Sequence, residues 1–150
     1  MALKQGKFGG RGSEAINPRE AGSVVAVVYE FDFTSIGYTA ASDVLELGPL
    51  PAYAKPINVV SIGEGLGATT ATIGLLTGEA GNPDNARALA GASTNFLTAA
   101  SVNDTEVAAT KLNCLKVTST QSHRGIGATL AGNITAGAGK KLRILVEYIY

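Results

Sequence analysis

Apolar residues in this chain recur with a period of two, and no stretch sustains a helical period. From Val24 to Phe33 the run VVAVVYEFDF opens as continuous β-branched sequence. It ends in alternation, with Tyr29, Phe31 and Phe33 on one face and Glu30 and Asp32 on the other. That is the signature of a strand whose far end has one wet face. The closing segment, LRILVEYIY, places Leu142, Ile144, Val146, Tyr148 and Tyr150 on one face. Its other face carries Arg143 and Glu147 but also Leu145 and Ile149, which is more apolar than water selects and predicts a covered surface or a subunit contact. Between these ends, short strands are predicted at Val44 to Leu47, Ile57 to Ile62, Thr69 to Thr77, Val107 to Thr118 and Gly125 to Leu130, and one more closes the segment Ala86 to Ala100.

The punctuation between strands is glycine and proline. Ile57 to Ile62 and Thr69 to Thr77 read as a hairpin with its turn at Gly63 to Gly67, and Ala71, Ile73 and Leu75 form its core face. The turn (Gly63, Glu64, Leu66) and the loop GEAGNPDN at 78–85 (Asn82, Asp84) are candidate contact tips. Pro49, Pro51 and Pro56 suit an edge or a corner, because proline donates no ladder hydrogen bond. Around Cys114 the apolar phase changes, Leu112 and Cys114 on one parity and Leu115 and Val117 on the other, which predicts a β-bulge. Residues 86–91, ARALAG, could begin a helical turn, but NFLTAAS prefers a strand, so a loop followed by a strand is expected. Residues 1–20 have no periodicity and carry Lys4, Lys7, Arg11 and Arg19 against Glu14 and Glu20. They predict an extended N-terminal arm, either loose or lying along a neighbouring subunit, with Lys4, Lys7, Phe8 and Arg11 as candidate contacts. About eight antiparallel strands over residues 21–150 predict an all-β protein, a jelly-roll β-sandwich that blunts its edges by pairing two sheets. An immunoglobulin-like sandwich is the weaker alternative, since its Cys–Trp–Cys core is missing.

Composition narrows the function classes. The 150 residues suit one domain, and twelve basic residues balance twelve acidic ones, so neither a nucleic-acid backbone nor an acidic membrane is an expected partner. The longest apolar run, Val24 to Tyr29, is too short for a signal peptide or membrane helix; a soluble protein made in a cytosol is expected. A single cysteine, Cys114, excludes an intrachain disulfide and predicts a buried thiol. The only histidine, His123, leaves no multi-histidine metal site and reads as a surface turn residue. The glycine-bearing segments at 63–67 and 132–140 lack the spacing and the following helix of a phosphate-binding loop. Glu79, Asn82, Asp84 and Asn85 offer oxygens, but not at the spacing of a calcium loop. Glu30 and Asp32 read as a solvated strand face, and Tyr38 and Tyr53 are the candidate aromatic platforms for a sugar. The expectation is no enzyme and no cofactor.

The order LPAYAKPINVVSIGEG, ATTATIGLLTGEAG, NFLTAAS, GIGATLAGN and KKLRILVEYIY, covering about residues 44–150, resembles the small jelly-roll head decoration, or cement, proteins of tailed bacteriophages. The resemblance implies a structural virion protein on the exterior of an icosahedral head, partnered by the major capsid protein and by itself as a homodimer or homotrimer. It implies no catalytic residues. Low charge and uncharged polar faces suit wide contacts, and a repeating lattice makes modest contacts effective together. A receptor- or carbohydrate-binding jelly-roll module of the fibre or lectin kind is the alternative class; it calls for exposed aromatics or ion ligands gathered at one end.

Overall fold

Eight strands carry the chain: β1 (Val25–Asp32), β2 (Leu45–Leu50), β3 (Lys55–Glu64), β4 (Ala71–Glu79), β5 (Asn95–Ala100), β6 (Val107–Ala108), β7 (Arg124–Leu130) and β8 (Lys141–Ile149). One short helix, α1 (Lys111–Leu115), lies between β6 and β7. The structure is a computed structural model and describes residues 23–40 and 42–150. The expected N-terminal arm lies outside the described residues, and with it Lys4, Lys7, Phe8 and Arg11.

The strands form two four-stranded antiparallel sheets, in the orders β1-β8-β3-β6 and β2-β7-β4-β5. The first strand pairs with the eighth, the second with the seventh, the third with the sixth and the fourth with the fifth. That nesting is what results when one long hairpin is rolled around a barrel, and it is the jelly roll predicted from strand count. Among neighbours in sequence, only β4 and β5 share a sheet.

Two expectations are corrected. The strands either side of Gly63–Gly67 are not a hairpin: β3 pairs with β8, and β4 with β7, in different sheets. The connection therefore crosses between sheets. Adjacency in sequence favours pairing, but here each strand gains more by pairing with a distant central strand over most of its length. The phase change at Cys114 is not a bulge in a long strand. After two residues of β6 the chain turns into α1, whose cap is Thr110, its Oγ1 accepting from the Asn113 N–H at 3.2 Å. A single helical turn shifts side-chain parity as an inserted residue would, so the pattern was ambiguous.

The prolines fall where the ladder tolerates them. Pro49 sits in β2, an edge strand. Pro56 sits in β3 at a register shift, beyond the short reach of β6 on that strand's other side. Between the sheets Phe33, Leu50, Ile73, Phe96, Ile126 and Ile144 are fully buried. Ala71, Ile73 and Leu75 line this core, as their alternation predicted. Cys114 is buried too, and burial pushes its thiol pKa up, keeping it protonated.

Candidate contact surfaces

The alternation that points Tyr29, Ile144 and Val59 inward points Val28, Leu145 and Val60 outward. The register then aligns them: Val28 faces Leu145, Leu145 faces Val60, and Val60 faces Ala108. An uncharged apolar row thus crosses all four strands of the first sheet, and its end residue Val28 is 63% exposed. An antiparallel sheet with a solvated face would put polar residues there.

The flanks of this row are charged, and these charged groups are ion-paired or hydrogen-bonded. Arg143 donates from Nε to Glu30 Oε2 at 2.7 Å and from Nη1 to Glu64 Oε2 at 3.1 Å. Lys141 Nζ lies 3.6 Å from Glu30 Oε1. On the other flank Asn58 donates to Glu147 Oε2 at 3.1 Å. Mutual pairing leaves the apolar row as the distinctive feature of the face. Leu145 and Ile149, the expected contacts, both lie on it, half-buried.

The second sheet is built differently. Its central strand β7 presents Gly125 and Gly127, and other residues occupy the trough they leave. A Cβ on Gly127 would stand 2.4 Å from Leu76 Cδ2 and 2.6 Å from the Leu45 carbonyl oxygen. A Cβ on Gly125 would meet Glu46 Oε1 and Arg87 Nη2. The β4–β5 loop folds back as a strap over this trough, bridging Leu76 to Leu89 and bonding Thr77 N–H to Ala88 O and Ala90 N–H to Leu75 O, both at 2.8 Å. Arg87 ties it down: Nη1 and Nη2 donate to the two Glu46 oxygens at 2.8 and 2.9 Å, Nε donates to Thr77 O, and Nη1 also donates to Asn82 O. The Arg87 hydrogen bonds, joined by that from Gly81 N–H, hold the Glu46 carboxyl below the usual glutamate range.

Between this strap and the β1–β2 connection lies a cleft of about 600 Å³. Phe31, Ile36, Val44 and Leu76 are among its apolar lining, and Asp43 and Asp84 are exposed acids on its walls. Asp43 accepts from Thr39 N–H at 2.7 Å, and Asp84 from Ala86 N–H at 2.9 Å. Asn82, in the same wall, accepts from Asp84 N–H.

The expected contact tips are thus divided. Asn82, Asp84 and Glu64 are exposed. Gly63 and Leu66 are interior: Leu66 is 5% exposed and folds over Gly63, whose Cβ would stand 2.5 Å from Leu66 Cδ1. Of the two tyrosines considered as sugar platforms, Tyr38 is buried, its hydroxyl accepting from Leu130 N–H at 2.9 Å. Tyr53 is exposed, with a left-handed φ of 64°. His123 is a surface residue whose Nδ1 accepts from Ala52 N–H. Among the described residues no three of His, Cys, Asp and Glu gather as a metal site would require, and no helix is long and apolar enough to cross a membrane.

Sequence reading did not find the apolar row, the strap or the cleft. The row was foreshadowed by parity, since Val28 and Ala26 share the phase of Glu30 and Asp32. The strap left no local signal, because Glu46 and Arg87 are forty-one positions apart.

Among the described residues, the fold is a jelly-roll module with a strap over one outer face and an apolar row across the other. The chain is similar to a chain in the solved capsid of Ralstonia phage GP4, with 29% identity, a TM-score of 0.73 and coverage of 92% of each chain. Chains in the capsid asymmetric unit of cyanophage Pam1 (21% identity, TM-score 0.47, covering 90% of this chain and 91% of that one) and in the capsid of Helicobacter pylori bacteriophage KHP30 (13%, TM-score 0.44, covering 85% and 92%) are more distant matches. No family model and no curated protein matches.

Proposed function

We propose that this chain is a structural virion protein, a decoration or cement protein that binds the outer surface of an icosahedral phage head and stabilises contacts between capsomers. The observation carrying this reading is the likeness to the Ralstonia phage GP4 capsid chain, which spans 92% of both chains. The correspondence is with one small capsid component along nearly its whole length, not with a piece of a larger subunit. The bare face with its Val28–Leu145–Val60–Ala108 row supports the reading, because a contiguous apolar strip rimmed by paired charges is the usual make-up of a protein contact. In this reading that face meets the major capsid protein or a second copy of the chain. Many copies on one lattice turn modest contacts into firm attachment.

The test uses phage particles made without this protein. Purified protein is added, the particles are pelleted, and bound protein and the temperature of DNA release are measured. The reading expects saturable binding and a higher release temperature. Protein that stays in the supernatant at all concentrations would sink it, and protection of the bound protein from protease added outside the particles would refute an exterior position.

A further inference from the structure

The cleft between the strap and the β1–β2 connection combines apolar lining with acidic walls. Of its ionic residues, Glu46 is neutralised by Arg87, leaving Asp43 and Asp84 to set a negative potential at the mouth. Its complement is an apolar side chain flanked by cations.

That chemistry occurs in the chain itself. Residues 4–11 read KQGKFGGR, with Phe8 set between Lys7 and Arg11 and with glycines at 6, 9 and 10. Residues 1–22 hold four basic and two acidic residues. Taking these from the twelve and twelve of the whole chain leaves eight basic and ten acidic residues in 23–150. A neutral protein therefore divides into a basic segment and an acidic body.

We infer that residues 4–11 of one copy dock in this cleft on a neighbouring copy, Phe8 on the apolar lining and Lys7 and Arg11 toward Asp43 and Asp84. Reach allows it: Ser23 is twelve positions beyond Arg11, enough for about 40 Å of extended chain. Direction favours a neighbour over the same chain. β1 runs from Val25 toward Phe31, which lines the cleft some 20 Å further on. A segment that precedes Val25 could enter its own cleft only by turning back along the length of β1, whereas a neighbour's cleft imposes no such reversal. The inference rests on the self-associating part of the proposed function and names its contact.

The test is a mixed cross-link in full-length protein, free in solution and bound to particles. One preparation carries Phe8→Cys and the other Ile36→Cys; the native Cys114 is buried and silent. Oxidation is expected to give a disulfide-linked pair in either setting, at roughly ten-fold the yield obtained with a control Leu112→Cys, the yield expected for about 1.4 kcal/mol of specific contact. Asp43→Lys with Asp84→Lys should remove the excess, and combining both with Lys7→Glu and Arg11→Glu should restore it; circular dichroism checks that each variant is folded. A yield equal to the control, or indifference to charge reversal, overturns the inference. So does a cross-link that forms only when both cysteines are in one chain. Particle binding without the cross-link leaves the decoration reading standing and this contact refuted, whereas failure to bind particles refutes the decoration reading whatever the cross-link shows.

Discussion

At the scale of single residues, the side chains that matter most for folding are those no other residue can replace. Tyr38 is one. Its ring is in the core, and its hydroxyl is the acceptor for the buried Leu130 N–H. Tyr38→Phe keeps the ring but leaves that donor without a partner, so chemical denaturation should show a loss of about 1–3 kcal/mol. Gly127 is another, for steric reasons. A methyl group there meets Leu76 and the Leu45 carbonyl, and because the Leu45 contact is backbone, no rotamer change can relieve it. Gly127→Ala should cost at least about 1–3 kcal/mol in the same measurement, whereas alanine at the open Gly81 position is opposed only by its left-handed φ of 79°.

At the scale of elements, the strap is held by one ion pair more than by its own sequence. Arg87 makes four hydrogen bonds, three joining the loop to β2 and β4 and one closing within the loop on Asn82 O. Arg87→Ala should detach it, seen as faster amide exchange at Ala88 and Ala90 and a loss of about 2 kcal/mol, within the range for charged hydrogen bonds. The Glu46 carboxyl is held down chiefly by Arg87. It binds a proton less readily in the folded than in the unfolded chain, so the stability it supplies is full above the ordinary glutamate pKa of about 4.3 and is lost as pH falls through the lower folded value. Urea midpoints should therefore fall on acidification below that point, and Glu46→Gln should flatten that part of the profile. If the variant and the parent keep the same acid limb, the pair does not supply it. Helix α1 shows how an element escapes notice in a sequence. Five residues with a threonine cap are too few to display a helical period, and of its apolar residues only Cys114 turns inward, while Leu112 and Leu115 are 74% and 48% exposed.

At the scale of the molecule, the two outer faces differ, and the proposed capsid contact draws on that difference. One face is closed by the strap; on the other, none of the described loops is strapped over the apolar row in that way. Val28→Lys together with Leu145→Glu, an opposite-charge pair directly across the β1–β8 register, should leave the far-ultraviolet spectrum and the urea midpoint nearly unchanged, because both side chains stand on the outer face of the sheet. The same double variant should reduce particle binding by roughly ten-fold or more, the effect of losing about 1.4 kcal/mol at the contact. Unchanged binding would move the contact to another surface.

Strand alternation alone determined the all-β class, the number of strands and the core residues of β4 and β8, because burial on one face imposes period two on neighbouring residues and this is readable locally. It also marked Leu145 and Ile149 as out of place on a wet face. Tertiary structure alone decided that β3 and β4 part into separate sheets, that Leu66 turns inward over Gly63, and that Val28, Leu145, Val60 and Ala108 fall in one row. Each of these depends on register between strands far apart in the chain, and register is set by the summed packing of both sheets, which no short stretch of sequence contains.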